Sequence, residues 1–414
     1  MKRLYKEEMK RILRTKSTLL FLAAAVILSI FMAYVPVTYE QFTYEENGHK
    51  ITIKGTEALA IKKKLQSPIT GEVMPEKMAA GLESYHDSLE RYGDFYDNFP
   101  LNVHNSEIFP WSALVRRLQE VMADPVTGFA PEYTNITEAD ALSFYERCRT
   151  HLTDLLNLEH KNEPKVQQIA EKMYANVKMP FYYYPGYNSN MSEYLGMYLF
   201  ILMFLCSMIT APLFSSEYQT GADDILRSTK HGRRRLASVK ILSALTLSLT
   251  AFVLCMTIFT IISNSIFGWE CRRTSLQIIF SAATLLGINL GQMQNLVIFA
   301  GLISLLSFVS FILFLSSACK STTLSTGLTI AFSMAPSLLY MMIGGNLAAY
   351  LRVLLPAGAL GGTNAFFYAL TYYFEFLKFG PITVWTPWLL LIVPAVEMPL
   401  FLWMTMRTYC KRSM

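Results

Sequence analysis

A chain of 414 residues in which 52% are hydrophobic and only 16% charged is too apolar for a soluble protein of this size, which leaves the integral membrane class. The net charge of +5 conceals an asymmetry: residues 38 to 193 hold 15 Lys and Arg against 23 Asp and Glu, so the remainder carries the whole positive surplus. Positive-inside orientation and anionic lipid headgroups account for that surplus, so no nucleic-acid partner is expected and membrane lipid is.

Residues 1–16 carry Lys2, Arg3, Lys6, Lys10, Arg11, Arg14 and Lys16 beside an apolar edge of Leu4, Met9, Ile12 and Leu13, the pattern of a cytoplasmic interfacial helix. Residues 18–35 then run without a charge and form a first span, with the basic flank holding the N-terminus inside. Ala33-Tyr34-Val35 lacks the small-residue pair a signal peptidase needs, so this span is read as uncleaved. One crossing then puts residues 38–192 outside. Patterns at Thr56 to Leu65, Glu76 to Tyr92, Trp111 to Ala123, Glu138 to Leu158 and Val166 to Val177 predict a mainly helical domain. Asn47-Gly48 between short alternating runs predicts one hairpin within Thr43 to Lys54. His49, His86, His104, His151 and His160 fall in this domain without HExxH or HxH spacing, and the six cysteines have no CxxC pair, so no metal site is expected. Cys148 and Cys271 share only a side of the membrane. The Phe181 to Tyr187 run suits an aromatic belt at the outer interface.

Further spans follow at 194–214, 241–267, 296–318, 322–344 and 385–406, making six, with a cytoplasmic tail at 407–414. In the outer loop 268–295, Leu276 to Leu290 is too short to cross and is expected as an interfacial helix or a segment buried at the bundle edge. Residues 346–381, broken by Arg352, Pro356, Gly358, Gly361-Gly362 and Lys378, read as two re-entrant half-helices entering from outside. The predicted fold is an all-α polytopic membrane protein with six transmembrane helices and a re-entrant segment before the last, plus a mainly α extracytoplasmic domain with a minor β hairpin. Lys and Arg number 17 on the proposed inner segments against 4 in the outer loops after the third and fifth spans. Inverting the chain would drag Arg233 to Arg235 across the bilayer at about 3 kcal/mol each. Glu397, between Pro394 and Pro399, is the one acid well inside a span and a candidate for the translocation path.

The cytoplasmic loop 215–240 carries the most information. Tyr218, Ala222, Ile225, Leu226 and Thr229 recur at helical spacing, with Glu217, Asp223, Asp224, Arg227 and Lys230 opposite, which predicts one short amphipathic helix. Thr220 and Asp223 are spaced as a capping box, Asp223 and Arg227 as a helical ion pair, and Gly232 breaks the chain before the Arg cluster. Glu217, Gly221, Leu226, Thr229, Gly232-Arg233 and Lys240 together resemble the loop after the second span of ABC-2 type transporter permeases. That resemblance implies a coupling helix docked on a separate ABC ATPase subunit, with Glu217, Tyr218, Gly221, Asp223, Asp224, Ile225, Leu226 and Thr229 as contact candidates. It also implies a second permease copy or a homologous permease as partner, a bacterial plasma membrane as location, and export of a peptide, antibiotic or lipid-like substrate. The chain has no GxxxxGK[ST] phosphate loop, HExxH or GxSxG motif, so it is expected to be no enzyme, to bind no cofactor, and to leave ATP to the partner. A mechanotransmission permease, which usually has four spans, and a membrane receptor or scaffold are the alternative readings.

Overall fold

The computed structural model describes residues 2–95, 99–229, 232–361, 365–372 and 374–411. Six helices among them are long and apolar enough to cross a membrane: Lys16–Thr38, Ser189–Thr220, Arg234–Phe267, Leu290–Ala318, Thr322–Ile343 and Thr386–Lys411, hereafter spans 1 to 6. Spans 2 and 4 are the enclosed ones, with 61% and 67% of their apolar windows buried against 22% for spans 1 and 5. The weakly covered spans therefore leave apolar surface for lipid or for another protein. Span 1 approaches spans 2 and 3 through Ala25, Ser29 and Ala33, small residues four apart on one face, which let backbones come close. Tyr198 of span 2 uses that gap: its ring stacks on Phe259 of span 3 at 5.7 Å and its hydroxyl donates to the Ala25 carbonyl at 2.7 Å.

The N-terminal helix Lys2–Arg14 turns at Thr15 and lays Glu8 and Ile12 into the protein beside span 3. Between spans 1 and 2, helices Thr56–Leu65, Pro75–Tyr92, Ser112–Val121, Phe144–Glu159 and Pro164–Tyr174 pack around Met78, Leu82, Leu114, Leu118, Phe144 and Phe181. Glu138–Leu142 is a separate short helix, because Ser143 interrupts the single run expected from Glu138 to Leu158. The hairpin pairs Gln41–Glu46 with His49–Lys54 through Asn47 and Gly48, both at positive φ as a two-residue turn of this sequence requires.

Two outer segments differ from expectation. Leu276–Ile279 is the only helix between Arg273 and Leu290, so the fifteen-residue interfacial helix is absent. The stretch is buried, as the second expectation had it, but as an irregular strap whose carbonyls accept from side chains. Arg117 donates to the Phe280 carbonyl at 2.9 Å and Tyr174 to the Ala282 carbonyl at 2.8 Å, while Gln277 reaches the Thr284 and Leu286 carbonyls. Before span 6, helices Gly345–Leu354 and Ala365–Thr371 are followed by a hairpin, Phe376–Phe379 with Ile382–Trp385, that a half-helix reading of 346–381 does not contain. Arg352, buried there, pairs with Glu375 at 2.5 Å and lies 4.1 Å from the Tyr340 ring centre. Lys378 joins Glu163 of the outer domain at 2.5 Å, and His160 spends one ring nitrogen on Glu163 and the other on the Phe374 carbonyl. Cys148 and Cys271 are both free and buried. Gly362 and Arg412 lie outside the described residues.

Candidate coupling site

The elbow begins where the helix of span 2 breaks. Pro212 has no N–H to continue the ladder, so the carbonyl and amides around it need other partners. Serines supply them. Ser316 of span 4 donates to the Ala211 carbonyl at 2.7 Å and accepts from the Phe214 and Ser215 amides, and Ser325 of span 5 also donates to Ala211 at 2.7 Å. Beyond the break, Pro212–Thr220 ends at Gly221, whose φ of 69° lies in the left-handed region that glycine enters without penalty. A second helix, Ala222–Ser228, follows. The single amphipathic helix expected from periodicity is therefore two pieces hinged at Gly221. Thr220 does not form a capping box, since its hydroxyl donates back to the Ser216 and Glu217 carbonyls. The Arg227 side chain and Lys230 lie outside the described residues, and with them the expected pair to Asp223.

Splitting the helix redistributes its faces. Ile225 is 72% exposed, and Asp224, Gly221 and Thr229 are exposed beside it. Tyr218 and Leu226 pack instead against the core, and Glu217 and Asp223 are buried. One outward stripe of Tyr218, Ile225 and Leu226, with Glu217 at its rim, is not what the chain forms.

Glu217 has a different environment. Lys240, fully enclosed in the second turn of span 3, donates to Glu217 Oε1 at 2.5 Å, Glu8 Oε1 at 3.2 Å and the Leu213 carbonyl at 3.1 Å. Arg11 adds a bidentate contact to Glu8 and lies 3.7 Å from Glu217. Two buried carboxylates thus share the buried Lys240, with the exposed Arg11 at the edge, and the set joins the N-terminal helix, the elbow and span 3. Burial alone would raise the Glu8 carboxyl, but Lys240 and Arg11 outweigh it and hold the group below its ordinary range. Removing one member of such a network leaves an uncompensated charge, which costs about 3–5 kcal/mol.

Span 6 closes the elbow from the other side. Tyr409 is buried against Phe214, with ring centres 5.1 Å apart, and its hydroxyl donates to the Gly232 carbonyl at 3.2 Å. Gly232 admits no side chain, for a Cβ there would stand 1.6 Å from the Leu226 carbonyl oxygen. Gln219 accepts from the Thr322 amide at 3.0 Å and its hydroxyl, which ties the start of span 5 to the elbow. Sequence reasoning missed Glu8, Arg11, Gln219, Ser316 and Tyr409. The signal available was Glu7-Glu8, the only acids in a strongly basic N-terminal run.

Glu397 lies eleven residues from the start and fourteen from the end of the span 6 helix Thr386–Lys411. It is half-buried and accepts from Ser307 of span 4 at 3.3 Å, so it faces the enclosed helix at mid-span and not the cytoplasmic end. A cavity of about 450 Å³ opens between the domain that joins spans 1 and 2 and the span ends beside it, lined by Lys62, Arg116, Arg117, Glu40 and Asn188 among others.

Six helices long and apolar enough to cross a bilayer mark a multi-pass membrane protein. The family model described as ABC-2 family transporter protein matches residues 3–402, nearly the whole chain. The chain belongs to that family and is an ABC transporter permease, a multi-pass membrane protein that works with an ABC ATPase subunit. No curated protein and no solved structure matches it.

Proposed function

We propose that this permease is the translocating subunit of an ATP-driven exporter in a bacterial cell membrane, with both termini cytoplasmic. Its contact with the ATPase is the knuckle formed by Gly221, Asp224, Ile225 and Thr229. The observation that carries this reading is the contrast at the elbow: a large apolar side chain, Ile225, stands exposed on a segment whose other ends are fixed by Lys240, Glu8, Gln219 and Tyr409. An exposed apolar anchor on a rigid base is what a protein cleft binds, with Asp224 setting orientation at its edge. Force on the knuckle reaches span 3 through Lys240, spans 4 and 5 through Ser316 and Gln219, and span 6 through Tyr409. Glu397 lines the path, and a second permease copy or homologue completes it.

The outer domain shelters the outer mouth and contributes to selectivity among peptide, antibiotic or lipid-like substrates. Six spans weigh against the mechanotransmission alternative, whose members usually have four. Coexpression with the partner ATPase tests the assignment. Ile225→Asp should cut copurified ATPase at least tenfold while the permease stays monodisperse, whereas undiminished copurification refutes the contact. Leu226→Asp is a poorer probe, because Leu226 packs inward.

A further inference from the structure

Spans 3 and 6 diverge at the end of the bundle that carries the elbow, leaving a groove of about 780 Å³. Its walls are apolar, built largely from Ile241 and Leu245 on one side and Trp403 on the other. Its rim is cationic: Arg234 comes from the first turn of span 3, Arg407 and Lys411 from the last turns of span 6. No acid lines it. Arg407 lies 5.1 Å from the Trp403 ring centre, so the guanidinium is held over the mouth by the aromatic wall.

We propose that this groove is a binding site for one anionic phospholipid of the inner leaflet. Acyl chains lie against Ile241, Leu245 and Trp403, and the phosphate sits among Arg234, Arg407 and Lys411. Charge complementarity selects this occupant over a second copy of the chain, since the rim presents three cations and a symmetric contact would set them against their own kind. Basic pockets between membrane helices on the cytoplasmic side suit anionic headgroups for the same reason. The inference rests on the orientation proposed above, not on the ATPase contact. Its place in the fold gives it a consequence: Tyr409, which fastens span 6 to Gly232, sits on the turn between Met406 and Lys411, so a lipid in the groove lies behind the contact that joins span 6 to the end of the elbow.

The test uses the full permease in phosphatidylcholine bilayers titrated with phosphatidylglycerol carrying brominated acyl chains, which quench nearby tryptophan. The signal assigned to the groove is the part lost in Trp403→Phe. In the wild type it should be quenched at phosphatidylglycerol fractions at least tenfold below the brominated phosphatidylcholine needed for equal quenching. Arg407→Gln with Lys411→Gln should abolish that preference, and so should Leu245→Phe, which narrows the groove without changing charge or adding a tryptophan. Lys6→Gln with Lys10→Gln removes the same charge from the N-terminal helix and should leave the preference intact. Arg407→Gln alone, expected to cost about fivefold, serves if the double variant is not monodisperse. Equal losses in the two double variants would mean diffuse surface attraction and overturn the site. So would a wild type without preference, or copy-to-copy crosslinking through cysteines at 242 and 403.

Discussion

The two ends of the bundle solve the same problem by opposite means. At the elbow, Glu8, Glu217 and Lys240 from three elements meet inside the protein with the exposed Arg11 at their edge, and the backbone around them is mostly regular helix. At the outer junction the backbone from Phe280 to Ile288 is irregular, and neutral or singly paired side chains such as Arg117, Tyr174 and Gln277 hydrogen-bond to its carbonyls one by one. Buried charge ties rigid elements together, because separating Lys240 from Glu8 and Glu217 would leave charge uncompensated inside the protein. Side-chain-to-backbone bonds hold a shape that has no ladder of its own. The elbow is thus fixed by buried charge and the strap by side chains bonded to its backbone.

Breaking the inner network should have the largest effect. Lys240→Met leaves Glu8 and Glu217 buried without their shared partner and should lower stability by about 3–5 kcal/mol, read from thermal unfolding of purified permease. Adding Glu8→Gln and Glu217→Gln should restore most of it, since the penalty comes from uncompensated charge. Arg117→Met at the outer end removes one carbonyl bond and the ion pair to Glu120, and should cost about 1.5–3 kcal/mol while loosening only the strap.

Acid should separate the two ends. Burial holds His151 of the outer domain below its ordinary value of 6.5, so its neutral form is favoured in the fold and the unfolded chain binds the proton more readily. That contribution is complete above pH 6.5 and is lost as pH falls below it. Glu8 is held below 4.5, so its contribution survives until pH drops under 4.5. Hydrogen exchange should show protection lost first in Phe144–Glu159 and only at lower pH in Lys2–Arg14. The reverse order would undo the contrast. Glu397→Gln keeps the Ser307 bond and should change stability by less than about 1 kcal/mol, yet impair transport.

Much of the fold was legible because it is local. Six apolar runs, the Asn47-Gly48 turn and the helix Thr56–Leu65 are set by residues adjacent in sequence. The hairpin at Phe376 to Trp385 was missed: Phe-Leu-Lys-Phe and Ile-Thr-Val-Trp flank Gly380-Pro381, but the apolar setting favoured a half-helix reading. The elbow was half legible. Its motif residues are visible, whereas their orientation depends on partners far away: Lys240 meets Glu8 across 232 positions and Tyr409 meets Gly232 across 177. Periodicity alone kept Tyr218 and Ile225 on one face, because it does not register that Gly221 takes a left-handed turn between them. The strap from 276 to 289 failed for a related reason, as its composition resembles a helix while its partners Arg117 and Tyr174 pull its carbonyls outward.

The central claim is that the exposed knuckle, and not the inward face of the elbow, meets the ATPase. Single cysteines at 225 and 218, crosslinked to the coexpressed ATPase with and without nucleotide, test it most directly. Residue 225 should crosslink efficiently in both states with a nucleotide-dependent change in yield, and residue 218 should crosslink poorly. Efficient crosslinking at 218 with none at 225, or labelling of 225 only by a lipid-phase reagent, would contradict it.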